Sequence, residues 1–219
     1  MSKSVYSLVL TDEVVEEIDR MAYQMNTSRS NLINQILAER VSFSTPEMQM
    51  RDIFASLERL MDETFQIQEQ PSEAMLSIRS RLRYKYKPTI RYRVELYRDP
   101  GDRVGSLRVS FRTQNSALIE ALDEFFRIWI LLENHYLASV FPQGIPRECA
   151  KGQFTRELMR PPNREDLTSE ELGNAIADYI RLLDSLIKIY FAGLDTPEET
   201  TAMLEEQYRK QLREGMTFV

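Results

Sequence analysis

Histidine and cysteine are almost missing from this chain of 219 residues, which holds one of each, His135 and Cys149. A single cysteine excludes an internal disulfide framework. One histidine and one cysteine cannot assemble the ligand set of a zinc or nickel centre, so no metal site and no cofactor is expected. Glycine is scarce, at 7 residues, and the sequence contains no Gly-rich phosphate loop, no G-x-S-x-G elbow and no kinase signature. Long apolar runs are missing too. The most apolar window, Phe125 to Leu132, is broken by Arg127 and followed by Glu133, well short of the roughly 18 residues that a membrane span needs. The N-terminus, MSKSVYSLVL, has one lysine, a polar-interrupted apolar run and acids directly after it. It does not read as a secretory signal, so a soluble protein in a reducing cytoplasm is expected.

The composition is that of a folded protein, with 42% hydrophobic and 28% charged residues. The net charge of −6 conceals a block structure. Residues 1–75 carry 6 Lys/Arg and 13 Asp/Glu, residues 76–113 carry 11 and 3, and residues 114–219 carry 11 and 18. A strongly basic segment therefore lies between two acidic ones, and local sign matters more than the total for contact and steering.

Along the chain, Ser4 to Leu10 (SVYSLVL) alternates, is rich in β-formers and predicts a short strand. Thr11 is a good N-cap, followed by Asp12, Glu13, Glu16 and Glu17, which suit a helix N-terminus. Val14, Ile18, Met21, Ala22 and Met25 then trace the stripe of an amphipathic helix. Asn26 can take the left-handed conformation that ends a helix. A second helix is expected after Thr27-Ser28, with Leu32, Ile33, Ile36 and Leu37 on its buried face.

Strand, helix and helix within about forty residues, carried by VYSLVL, TDEVVEEIDRMAYQM and N-TSRSNLI, resemble the ribbon-helix-helix superfamily of Arc/CopG/MetJ-type repressors. The match covers residues 3 to 41. The resemblance implies a homodimer, or a higher homo-oligomer, that binds double-stranded DNA with an antiparallel two-stranded ribbon in the major groove. The alternation would then turn Tyr6, Leu8 and Leu10 inward and Lys3, Val5, Ser7 and Val9 outward, towards base edges. Val5 and Val9 could meet thymine methyl groups but supply no donor or acceptor. Ser28, Arg29 and Ser30, at the start of the second helix, would position a backbone phosphate. The alternative is that protein covers the valines, leaving a module that only dimerises. The lack of metal ligands excludes the nickel-sensing variety of such regulators.

Thr89 to Arg98 and Val104 to Arg112 alternate on either side of Asp99-Pro100-Gly101-Asp102 and predict a β-hairpin over 89–112. Its inward set is Ile90, Tyr92, Val94, Leu96, Leu107, Val109 and Phe111. Its outward set brings together Arg91, Arg93, Arg108 and Arg112, a possible secondary anion or nucleic-acid patch extended by Arg81, Arg83, Lys85 and Lys87. The competing explanation is a solvated sheet face, or one paired with the acidic helices around it. A helix is expected from about Pro46 to Phe65, a polar hinge over 66–72, irregular chain over 141–163, and helices over about 115–138, 169–191 and 197–214. His135, within LLENHYL, reads as structural, and Cys149 as an ordinary thiol.

The expected architecture is therefore α+β and mostly helical. It has a DNA-binding and dimerisation unit over 1–45, a helical connector over 46–72, and a C-terminal α+β domain over 73–219 containing the hairpin. The expected function is sequence-specific transcriptional regulation, most simply repression, without enzyme activity. The C-terminal domain would add oligomerisation, extra DNA contact or effector sensing. A structural protein that uses the first unit only to dimerise, an antitoxin, and a plasmid-maintenance protein are the alternatives.

Overall fold

The structure is a computed structural model that describes residues 7–41, 43–72, 74–82, 84, 88–98, 101–164 and 166–219, apart from the side chains of residues 69–71. The chain is α+β, with six helices and a six-stranded antiparallel sheet among the described residues. It divides into two compact units, Met1–Gln49 and Met50–Val219.

The first unit contains α1 (Asp12–Gln24) and α2 (Arg29–Arg40). Helix α1 ends as its sequence predicts: Asn26 has φ 51°, and the Thr27 and Asn26 amides return to the Ala22 and Tyr23 carbonyls. This is the paired closure that a left-handed residue after the C-cap permits. Thr11 stands at the N-cap of α1, but its side chain makes no capping hydrogen bond. Ser28 does cap α2, its hydroxyl accepting from the Asn31 amide at 3.2 Å. Residues 7–10 form no strand within the chain, and residues 1–6 lie outside the described residues. A lone extended segment has no partner for its backbone hydrogen bonds, so a strand there needs pairing from elsewhere.

In the second unit, α3 (Pro46–Leu60, which begins in the first) precedes β1 (Phe65–Ser72), β2 (Met75–Arg81), β3 (Thr89–Leu96) and β4 (Arg103–Arg112). Then follow α4 (Ser116–Tyr136), β5 (Arg147–Ala150), β6 (Gln153–Met159), α5 (Ser169–Ala192) and α6 (Pro197–Arg213). The sheet order is β1-β2-β3-β4-β6-β5. The expected hairpin is therefore the centre of a larger sheet, with the inward set of β3 and β4 buried as predicted. Asp99 and Pro100 of its turn lie outside the described residues. The expected connector and hinge differ more: residues 65–72 are an edge strand, where Pro71 is tolerated. The stretch 141–163, expected to be irregular, contains β5 and β6.

Helix starts follow the local chemistry. Asn115 caps α4, Thr168 and Glu171 form a reciprocal capping box on α5, and Pro197 opens α6. The helices of the second unit contribute apolar faces to one core with one face of the sheet, through Phe126 stacked on Phe154 at 4.6 Å and Phe111 against Phe191 at 5.3 Å. Helix α3 approaches α5 so closely that a Cβ at Gly173 would stand 2.5 Å from the Ile53 carbonyl oxygen.

Within that core lies an ionic cluster. Glu133 of α4 and Arg156 of β6, both fully buried, pair at 2.9 Å. Arg147 of β5 reaches the second Glu133 oxygen at 3.0 Å, and the Tyr179 hydroxyl of α5 donates to the first at 3.0 Å. Trp129 Nε1 donates to the Tyr179 oxygen at 3.0 Å, and the Arg156 guanidinium lies 4.5 Å from the Tyr179 ring centroid. Burial pushes the Tyr179 hydroxyl far above its ordinary pKa. Burial opposes the charge on Arg156, but Glu133, Tyr179 and Tyr208 together outweigh it and raise the guanidinium pKa.

Removing one member of a buried pair strands the other, at a cost of about 3–5 kcal/mol. Glu133→Ala should therefore destabilise the fold by about that amount in urea titrations. Glu133→Leu with Arg156→Met should cost much less than the sum of the two single changes. Additive losses would show that the pair does not act as a unit.

Candidate nucleic-acid interface

Two surfaces bring together residues that the sequence singles out. The first is in the N-terminal unit. A groove of about 900 Å³ is lined by Leu8, Val9 and Leu10 on one side and by Ser28, Arg29 and Ser30 at the start of α2 on the other. Three expected phosphate-contacting residues thus stand beside the described end of the expected ribbon. Ser7 and Val9 are exposed, while Lys3 and Val5 lie outside the described residues. Leu8 and Leu10, expected inward, are 60% and 41% exposed in the single chain.

Arg29 is not free. Its Nε donates to Asp19 Oδ1 at 2.5 Å, and its Nη2 donates to Oδ2. The paired geometry ties α1 to the start of α2. The Arg29 hydrogen bond holds the Asp19 carboxyl below its ordinary pKa, against the opposing effect of burial. No charge pattern within either helix announces this link, because the partners are ten residues apart on different helices.

Burial in α2 also departs from expectation. Leu32 is buried and Ile33 half-buried, but Ile36 and Leu37 are 41% and 52% exposed. Only Ala22, Leu32 and Ala38 are buried apolar residues among the described positions of this unit. Of the fourteen large hydrophobic residues exposed among the described positions, eleven lie between Leu8 and Phe43.

The second surface is the sheet face turned away from the helices. Cross-strand register places Ser77, Arg93, Arg108 and Thr155 in one row, and Arg79, Arg91, Ser110 and Gln153 in the next. Arg81, Thr89 and Arg112 make a third. The four expected patch residues are thus brought together, with Arg81 beside them, while Arg83, Lys85 and Lys87 lie outside the described residues. Arg79 completes the set. Its place could be read only once β2 was recognised as a strand, and its basic content hides that.

On β2, β3, β4 and β6 the three rows hold no acid. Partial burial, followed by the charges of Arg79, Arg112 and Arg93, lowers the Arg91 pKa. Arg93 Nε and Thr155 Oγ1, both in the first row, are buried without a hydrogen-bond partner. Acids reappear at the β5 end of the first row, where Glu148 stands opposite Thr155, and in the flanking row of Glu95, Ser106 and Glu157, where the Tyr97 hydroxyl donates to Glu157 at 3.1 Å.

His135 is exposed at the end of α4 with its ring against Tyr136, and Cys149 is exposed on β5. Among the described residues no group of His, Cys, Asp and Glu is arranged to hold a metal, and no helix is long and apolar enough to cross a membrane. No known family, curated protein or solved structure matches the chain.

Because the folded-state pKa of Asp19 is lowered, the stabilisation from its pair with Arg29 is present above the ordinary carboxylate value of 3.8 and is lost as pH falls through the lower folded value. Hydrogen exchange at the first turn of α2 should accelerate over that interval beyond its intrinsic pH dependence, and Asp19→Asn should remove the excess. An identical profile in Asp19→Asn would show that the pair does not hold the two helices.

Proposed function

We propose that the protein is a sequence-specific DNA-binding transcriptional regulator, acting as a repressor, whose N-terminal unit works as a ribbon-helix-helix homodimer. One observation carries this reading: a unit with three buried apolar side chains exposes most of the large hydrophobic residues exposed on the whole described chain. So small a unit gives up too little apolar surface to stand alone. A second copy is the simplest cover. It would supply a pairing partner for the segment around residues 7–10 and place Ile36 and Leu37 of each α2 against the other copy. Pairing would also turn Ser7 and Val9 to one face of the ribbon, available to base edges in the major groove.

Ser28, Arg29 and Ser30 would then lie beside a phosphate at the α2 N-terminus, where free backbone N–H groups and the helix dipole favour an anion. Asp19 competes for Arg29. That competition favours a second reading, a dimerisation module that docks a protein partner. In the DNA-binding reading, Asp19 instead holds Arg29 in position until a phosphate shares it.

Three changes separate these readings. Leu37→Glu should turn the dimer into a monomer in sedimentation at micromolar concentration. Ser7→Ala and Arg29→Ala should keep the dimer but weaken binding to a selected DNA site, by roughly tenfold for Arg29, as expected for a charge-assisted contact of about 1.5 kcal/mol. Undiminished affinity in both variants would favour the protein-docking reading.

A further inference from the structure

The outer face of the sheet differs from an ordinary solvated face in its arrangement as well as its charge. Each of three consecutive cross-strand rows holds two arginines: Arg93 with Arg108, Arg79 with Arg91, and Arg81 with Arg112. In the first two rows the arginines are direct cross-strand partners. Like charges directly opposite each other destabilise a sheet. A face selected only for solubility would mix signs. Among the described residues none of these six arginines forms an ion pair. The fold thus bears a repulsion that an external polyanion would relieve.

We propose that this face is a second DNA-contacting surface, which grips the sugar–phosphate backbone of double-stranded DNA without reading its sequence. The inference rests on the protein being DNA-binding but uses residues wholly separate from the N-terminal unit. The three rows span about 10 Å across strands β2, β3 and β4 and about 13 Å along them, from the ordinary strand spacing and rise. That is a broad, flat array of donors, not a pocket for a single small anion.

Arginine presents a planar fork that matches two phosphate oxygens. Serine, threonine and glutamine between the forks, at Ser77, Ser110, Thr155 and Gln153, supply the neutral donors that accompany such contacts. Arg93 Nε and Thr155 Oγ1 lie in one row on either side of Arg108, and neither finds a hydrogen-bond partner within the fold. The outward positions of these rows carry no aromatic ring. A platform for single strands would need rings on which bases stack. The acidic row of Glu95 and Glu157 bounds the patch on one side and sets the edge of the footprint.

The test uses the full chain and a fluorescently labelled random-sequence duplex of thirty base pairs, with affinity followed by anisotropy between about 50 and 300 mM KCl. Each neutralised phosphate contributes about 0.9 to the slope of log affinity against log salt. The variant Arg79→Gln/Arg91→Gln/Arg93→Gln/Arg108→Gln should lower that slope by about 3.6 and weaken binding at 100 mM salt at least tenfold. Its melting temperature should not fall, because the substitutions remove repulsion. If the fourfold variant does not fold, Arg91→Gln and Arg108→Gln singly should each lower the slope by about 1.

An unchanged slope in a folded variant overturns the proposal. Tighter binding of the wild type to a single strand of the same length overturns its commitment to duplex. Loss of all duplex binding in Ser7→Ala/Arg29→Ala, with the sheet variant unaffected, would sink this inference and spare the N-terminal reading. The reverse pattern would sink the N-terminal reading and spare this one. A wild type that binds no duplex overturns both.

Discussion

The buried pair of Glu133 and Arg156 is the constraint around which the larger unit is arranged. Taking two charges out of water costs several kcal/mol per ion unless geometry and further hydrogen bonds repay it. Here the repayment draws on four elements at once: α4 supplies the carboxylate and Trp129, β6 the guanidinium, β5 a second guanidinium, and α5 the Tyr179 hydroxyl. The Arg156 Nη1 also donates to the Val219 carbonyl, which draws in the segment after α6. Satisfying Glu133 therefore fixes how α4 and α5 lie over the end of the sheet formed by the last two strands. Apolar residues of similar volume would fill the same space, but they would impose no such register. A second polar anchor, Tyr92 of β3 donating to Asp184 of α5 at 2.8 Å, ties the same helix to the middle of the sheet. Between the two anchors, α5 has little freedom to slide.

Placing all this chemistry on one side of the sheet has a consequence for the other side. The inward positions of the strands are committed to the core, so period-two alternation leaves the outward positions free of packing demands. Stability asks only that they be polar. It does not ask for six arginines in three rows, and direct pairing of Arg93 with Arg108 works against it. The core thus explains where the outward face is, but not its charge.

The degree to which this was legible in the sequence follows the same division. Strands β3 and β4 were readable because Ile90, Tyr92, Val94 and Leu96 alternate with charged residues without a break. Helices α4, α5 and α6 were readable from their caps and their apolar spacing. Strand β6 was hidden by its own anchor: Arg156 occupies an inward position between Phe154 and Leu158, so the apolar alternation breaks where the structure is most tightly held. Strand β1 carries its strand-forming residues, Phe65 and Ile67, only at its start and is glutamine-rich with Pro71 beyond them, which its edge position tolerates. Strand β2 was masked by basic residues, which hid Arg79 from the site. In the N-terminal unit, the cap and turn chemistry of Ser28 and Asn26 was local and therefore visible. The link between Asp19 and Arg29 depends on how two helices meet, and no local pattern encodes it.

The N-terminal unit poses the opposite physical problem from the core beyond it. The larger unit has an apolar core sufficient to bury the Glu133 cluster and the Tyr92–Asp184 anchor, whereas residues 8–43 leave Leu8, Val9, Tyr23, Leu37 and Phe43 in water. Exposed apolar side chains are normal when scattered. Their concentration in one short stretch is not, because it invites indiscriminate association unless a specific cover exists. A cover formed by a second copy would be self-limiting, since a twofold interface uses the same patch on both chains and closes. It would also align two sets of Ser28, Arg29 and Ser30 about one axis, and it would bring two arginine-lined sheet faces into a single assembly. Contacts that are individually modest would then act together. Linking binding surfaces in one molecule raises the effective concentration of the second contact once the first is made. On the proposed reading, a ribbon poor in hydrogen-bonding groups would be most useful in that setting, where it would select the register of DNA that the sheet faces would already hold.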